Sequence, residues 1–246
     1  MHIKVVQAYA FVGVMQMKCA WQAYLNILPI WMREDVNKAG AERLQELRIR
    51  IGYPPQLIFK DTVYNLYRQA SPQDITYIIN IASEFSPWTA QTIRDGYITA
   101  SGGHRIGICG LATFSDGIMK SISQPTSICI RVARDVEGIA RPLSNIDESI
   151  LLIGPPGSGK TTLLRDFIRC KSNMGIGSIC VVDEREEIFP MHKGQACFSP
   201  GRNTDILSAA DKICGINAVL RCMNPAWKFT LQVPAPLRRS RRIKNK

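Results

Sequence analysis

The chain lacks every spacing that would turn its eight cysteines into a metal site. No two stand as C-x-x-C, and none is joined to a histidine at ligand spacing. That excludes the common zinc and thioredoxin-like classes. Cys19, Cys109, Cys129, Cys170, Cys180, Cys197, Cys214 and Cys222 read as structural thiols. Cys129 and Cys180 sit inside apolar runs, where a reduced thiol packs as a small hydrophobe. Such usage fits a reducing cytoplasm better than a disulfide framework. No apolar run reaches the roughly 20 residues of a membrane span. Val5 to Met17 is uncharged for 13 residues but carries Gln7 and Gln16. It has no clean small-x-small cleavage site, so an N-terminal extension with an amphipathic helix is expected over residues 1–26, with a true start at Met15 or Met17 as the alternative. Internal repeats are absent. Acidic residues end at Asp211.

Positive charge is plentiful but unevenly placed. The net charge is +11, yet six cations fall in the last nine residues: Arg238, Arg239, Arg241, Arg242, Lys244 and Lys246. Without them the remainder is a mildly basic globular protein. A basic tail can meet nucleic acid or anionic lipid, and as often is simply solvated. No aromatics alternate with these arginines, which argues against a base-stacking surface.

The most informative run is Gly154-Pro155-Pro156-Gly157-Ser158-Gly159-Lys160-Thr161-Thr162. It fits the phosphate-loop pattern G-x-x-x-x-G-K-[ST] at every fixed position. Ser149-Ile150-Leu151-Leu152-Ile153 precedes it as a buried parallel strand. Leu163, Leu164, Phe167 and Ile168 follow at helical spacing. Strand, loop and helix in that order predict that Gly154, Gly157, Ser158, Gly159, Lys160, Thr161 and Thr162 cradle the phosphates of ATP. Lys160 bridges phosphate oxygens and Thr161 holds Mg²⁺ in this reading.

Ahead of this unit, residues 27–145 read as an α+β domain with no nucleotide chemistry of its own. Leu47 to Ile51 alternates at period two, breaks at Gly52-Tyr53-Pro54-Pro55, and resumes at Gln56 to Phe59, which predicts paired strands. Ser71 caps a helix with Pro72 in its first turn and a stripe of Ile75, Ile78, Ile79 and Ala82. Ser86-Pro87 opens a shorter helix ending at Gly96. Tyr97 to Ala100 and His104 to Gly110 form a hairpin, followed by a turn at Ser115-Asp116-Gly117 and a strand at 127–132. The boundary falls at Arg141 to Asn145. A phosphate-loop domain then covers 146–225, and 226–246 is a divergent basic tail. Within it, Ile179 to Ile188 is a buried strand expected to lie beside the phosphate loop and ending in acids, at the edge where open α/β sheets bind ligands. Asp183, Glu184 and Glu187 are thus candidates to orient a water or a metal, against the alternative of a solvated charge run.

These residues resemble the stage III sporulation protein AA family. The resemblance spans roughly Ile27 to Pro225. It rests on Leu47-Arg48-Ile49-Arg50-Ile51-Gly52, Asp95-Gly96-Tyr97-Ile98-Thr99 with Gly102-Gly103-His104-Arg105, and Ile130-Arg131-Val132-Ala133-Arg134. In the second domain it rests on the phosphate loop with Leu164-Arg165-Asp166, Val182-Asp183-Glu184-Arg185-Glu186-Glu187-Ile188, Thr204-Asp205-Ile206-Leu207 and Leu220-Arg221-Cys222-Met223-Asn224-Pro225. It implies a cytoplasmic mother-cell ATPase, related to type II and type IV secretion ATPases, acting as a hexameric ring. Its role would be to energise a secretion-like channel of sporulation membrane proteins. Glu184 or Glu187 would position the attacking water, and Asp183 with Thr161 would serve Mg²⁺. Arg105 and Arg131 would approach phosphates from the N-terminal domain, although solvent-facing strand arginines fit the sequence equally.

The match fails after Pro225. There the family continues into an apolar strand ending Asp-Glu, whereas this chain reads Ala226-Trp227-Lys228-Phe229-Thr230 and then its basic tail. The expected fold is therefore α/β, an N-terminal α+β domain followed by an incomplete RecA-like domain, through a truncation or frameshift after Pro225, with a natural short variant as the alternative. Hydrolysis is expected to be impaired. A nucleotide-switched nucleic-acid-binding protein is the alternative function; a small-molecule kinase lacks any acceptor site or lid arginines.

Overall fold

The computed structural model describes residues 3–7, 16–84 and 96–230. The chain opens with two short strands, β1 (Ile3–Gln7) and β2 (Gln16–Lys18), then α1 (Trp21–Ile27) and α2 (Ile30–Gly40). Three strands follow, β3 (Glu46–Arg50), β4 (Gln56–Ile58) and β5 (Val63–Asn65), and then α3 (Pro72–Ser83). The expected hairpin is β6 (Tyr97–Thr99) with β7 (Arg105–Ser115), and β8 (Ile118–Arg131) runs back along β7. These strands form one six-stranded antiparallel sheet in the order β5-β4-β3-β8-β7-β6.

Period-two patterning decides which face of this sheet is covered. Leu47, Ile49, Ile98, Ile106, Ile128 and Ile130 are almost fully buried against α1, α2 and α3. The alternate positions, Glu46, Arg48, Arg105 and Arg131, lie on the opposite face. Helix α3 forms where the sequence expects it. Ser71 Oγ accepts the Asp74 amide while the Asp74 carboxylate accepts the Ser71 amide at 2.8 Å. This reciprocal cap satisfies two donors that helix geometry orphans. The helix expected from Ser86 to Gly96 lies outside the described residues.

The second unit begins with the linking strand β9 (Asp135–Glu137), which pairs antiparallel with β2. Then come β10 (Ser149–Ile153), α4 (Lys160–Met174), β11 (Ile179–Asp183) and the small hairpin β12 (Met191–His192) with β13 (Gln195–Ala196). Strand β14 (Thr204–Ser208), helix α5 (Lys212–Cys222) and β15 (Trp227–Thr230) complete it.

Three expectations need correction. At the N-terminus residues 3–7 are strand rather than helix, β1 pairing in parallel with β10 from Ile3 against Ser149 to Gln7 against Ile153, while residues 8–15 of the expected helix lie outside the described residues. Lys4 and Gln7 flank the two valines of β1, as suits an edge strand, and the free edge of β10 offers a partner. Secondly, residues beyond Pro225 are not all tail. Trp227 to Thr230 pair in parallel with Ile179 to Val182, because Trp227 and Phe229 pack against Ile168, Ile179 and Val181. Thirdly, β11 is not hydrogen-bonded to the phosphate-loop strand. It sits between β14 and β15, while β10 bonds to β1. Between β10 and β15 lies a cavity of about 550 Å³ lined by Ile150, Leu152, Leu163, Phe167, Trp227 and Phe229. The parallel sheet is interrupted there, with apolar side chains on both banks.

All eight cysteines are free thiols, and Cys180 is buried in β11. Among the described residues no helix is long and apolar enough to cross a membrane.

Candidate nucleotide site

Strand β10 delivers the chain to the loop at Gly154, and α4 begins at Lys160. Gly157 and Gly159 hold φ near +76° and +85°, which side chains disfavour, and the space beside each is open. Ser158 donates its amide to Pro155 O, and the first helical bond runs from Leu163 N to Gly159 O at 2.9 Å. The amides of the first helical turn precede any intrahelical acceptor and carry the positive end of the dipole. Lys160 folds back over the loop, donating to Gly154 O at 2.9 Å and Pro155 O at 2.7 Å. The Ser158 hydroxyl is buried without a hydrogen-bond partner. A cation parked on neutral carbonyls, an orphaned hydroxyl and open glycines have the chemistry of a polyphosphate cradle, with Thr161 in the first turn of α4.

The acidic loop after β11 is built differently from the expectation. Asp183 is 2% exposed. Its carboxylate accepts the amides of Glu187 at 3.0 Å, Ile188 at 2.8 Å and Phe189 at 2.9 Å. Burial pushes this carboxyl above its ordinary range, and those three amides pull it back only in part. With both oxygens accepting backbone amides, Asp183 shapes the loop. Glu184 is exposed and nearest to Lys212, at 3.9 Å. Glu187 is half-buried, its backbone fixed by Asp183.

Glu186 was not singled out by the sequence, since three glutamates in four positions look alike. The backbone separates them. Glu186 sits at φ +53°, a costly conformation for a side-chain-bearing residue that concentrates at functional sites. Burial raises its carboxyl pKa, against the pull of the Met191 amide, Arg105 and the Ser208 hydroxyl.

Arg105 and Arg131 are direct cross-strand partners on the open face of the six-stranded sheet. Arg131 is 70% exposed and lies 3.6 Å from Glu46. Arg105 stacks over the Tyr97 ring at 3.6 Å. Two like charges opposite each other oppose sheet pairing, and Glu46, in register with Arg131 and paired with Arg48 on the same face, offsets part of that repulsion. The preceding motif residues join the two units. Gly103, at φ +80°, lies against Cys197, Phe198 and Pro190 of the second unit, where a Cβ would come within 3.2–3.5 Å. His104 is fully buried, accepting the Ala133 amide at Nδ1 (3.0 Å) and placing Nε2 2.9 Å from Ala20 O.

This arrangement requires a neutral imidazole, and burial holds its pKa below the usual 6.5, with Arg134 lowering it further. A histidine with a depressed folded pKa contributes stability above pH 6.5 that is lost as pH falls, because the unfolded chain takes the proton first. Between pH 7.5 and 5.5 the wild type is expected to lose about 1 kcal/mol more than His104→Gln. Urea unfolding of both proteins across that range checks this; parallel curves would exclude a titrating His104.

Sequence reasoning also missed the charges under the site. Arg165, one turn beyond Lys160 on α4, donates through Nε to Ile188 O and through a terminal nitrogen to Glu187 O at 3.1 Å. Arg169 binds Asp135 and, at 2.9 Å, Asp166, while Asp166 accepts the Ala140 amide at 2.8 Å. Lys171 is fully buried, 2.6 Å from Asp147 and over the Trp227 ring. Charges on a helix usually signal its solvent face; here they mark its contacts with β9, Ala140, Asp147 and the loop after β11.

A parallel-stranded unit carrying a phosphate-type loop, preceded by an α+β unit, is a fold shared with solved ATPases. The Legionella pneumophila ATPase DotB aligns over 84% of this chain and 60% of its own, at TM-score 0.50 and 15% identity. The ADP-bound pilus retraction motor PilT aligns over 82% and 60%, at TM-score 0.55 and 16% identity. Residues 22–230 match the family described as sporulation stage III, protein AA. The stage III sporulation protein AA of Bacillus subtilis is 34% identical over 213 residues, 81% of this chain and 69% of that protein. The chain belongs to the stage III sporulation protein AA family. It also matches 27% of the length of protein ycf45 of Porphyra purpurea, at 28% identity over 169 residues.

Proposed function

We propose that this chain binds ATP·Mg²⁺ at Gly154 to Thr162 and serves as the nucleotide-binding subunit of a sporulation secretion assembly. The observation carrying this reading is the β10–loop–α4 cradle, with Lys160 resting on the loop's own carbonyls and Ser158 unsatisfied. Phosphate oxygens are stronger acceptors than carbonyls, so Lys160 exchanges Gly154 and Pro155 for them. Thr161 holds the metal, which supplies charge neutralisation when bound. Arg105 and Arg131 offer a cationic sheet face to phosphates, its own or those of a neighbouring copy in a ring. Glu184 or Glu187 orients water, and the assembly works beside a membrane channel from the mother-cell cytoplasm. The fold neighbours and the family support this placement.

Lys160→Ala is expected to weaken binding of a fluorescent ATP analogue by at least about tenfold, the loss of one charge-assisted contact. Titration of both proteins in Mg²⁺ tests it. Equal affinities would remove the phosphate loop from the site.

A further inference from the structure

The two buried residues that grip the acidic loop do so from opposite sides. Asp183 takes the amides of Glu187, Ile188 and Phe189. Arg165 takes the carbonyls of Glu187 and Ile188. The peptide units at 187–188 are therefore held on their donor side by the strand β11 and on their acceptor side by the phosphate-loop helix. Arg165 is 7% exposed and rests on the Phe198 ring at 4.6 Å. Burial lowers its pKa and the Asp135 charge raises it; a guanidinium stays protonated in either case.

A second observation shows where this grip can move. Asp135 Oδ1 is buried and has no hydrogen-bond partner. It lies 3.9 Å from the Arg165 terminal nitrogen that does not bind the loop. An ionic hydrogen bond forms near 2.7–2.9 Å, so a displacement of about 1 Å would close the gap. An unpaired buried oxygen is costly, and Arg165 is the cation placed to satisfy it. Asp135 belongs to β9, the strand that joins the two units and pairs with β2.

We infer that Arg165 is a positioning residue with two arrangements. In the one described it fixes the backbone of the acidic loop. In the other it shifts by about 1 Å toward Asp135, loosens its hold on the Glu187 and Ile188 carbonyls and tightens β9. Helix α4 carries both Arg165 and Lys160, five residues apart, so phosphate binding at the helix start biases the choice. The loop, and with it Glu186 and Glu187, thereby responds to nucleotide. This rests on the nucleotide reading above and extends it to how occupancy is transmitted between the units.

The test is amide hydrogen exchange with and without a non-hydrolysable ATP analogue and Mg²⁺. In the wild type, exchange of the Glu187, Ile188 and Phe189 amides is expected to change at least about threefold on saturation, together with residues 133–138. Arg165→Lys keeps the charge but cannot span two carbonyls. It is expected to bind the analogue within about threefold of wild type, while its exchange change is confined to residues 154–163. Saturating analogue that leaves 187–189 unchanged in the wild type overturns the proposal whatever the variant does. So does an Arg165→Lys protein whose loop responds as the wild type does. Failure of the wild type to bind the analogue at all, read by fluorescence beforehand, would instead sink the nucleotide reading itself.

Discussion

Replacing Leu231 and Gln232 by Asp and Glu is expected to raise steady-state phosphate release by roughly a hundredfold over the unmodified chain, which should stay near background. Strand β15 runs in register beside β11, with Thr230 opposite Val182. Its C-terminal end is thus the sheet edge next to Asp183, where carboxylates of this domain class stand. The chain supplies none there. Asp183 is engaged by three amides, and Glu184 faces Lys212 in solvent. Thr161 is left without a strand-borne acid to help fix the metal, and a misplacement of about 1 Å can cost on the order of a hundredfold in rate. The gain in the double variant should vanish when Lys160→Ala is added. Robust turnover by the unmodified chain, abolished by Lys160→Ala, would show that the acidic loop suffices alone.

The second large effect concerns Asp135→Ala. Asp135 is 4% exposed and pairs with Arg169 while facing Arg165. Removing it leaves two buried guanidiniums with Asp166 as their nearest well-placed carboxylate. Breaking one partner of a buried ion network costs about 3–5 kcal/mol, since an uncompensated charge remains in the interior. Against a total stability of about 5–15 kcal/mol, that is a large share. Guanidinium unfolding should move to a markedly lower midpoint. A loss under about 1 kcal/mol would mean that water enters this junction and screens the charges.

Local chemistry made part of this legible from sequence alone. The phosphate loop announces itself because glycine, lysine and threonine are needed at fixed spacing. The Ser71 cap and the β6–β7 hairpin are likewise decided within a few residues. What escaped was decided by partners far away in the chain. Nothing local in Ile3–Gln7 says that it will find Ser149–Ile153. Trp227 to Thr230 read as the start of a tail because the expected acids are missing, yet two aromatics suffice to dock the strand. The roles of Arg165, Asp166 and Arg169 were hidden for a related reason. Charged positions on a helix look solvated until the segments that bury them are known, and here those are residues 135–140 before the helix and the loop at 187–188 after it.

The pairing of β1 with β10 means that the second unit is not contiguous in the chain. Its edge strand is synthesised first and must wait for more than a hundred residues before its partner exists. Closing so long a loop adds little to the equilibrium cost but slows assembly. During that interval Val5 and Val6 are exposed as an unpaired strand. The parallel direction also sets what a fused tag would meet. Ile3 lies at the Ser149 end, so material attached ahead of it leaves the sheet opposite the phosphate loop. A probe inserted just after Gln7 would emerge beside Ile153, next to Gly154. The same five residues therefore offer a silent handle at one end and a reporter of the loop at the other.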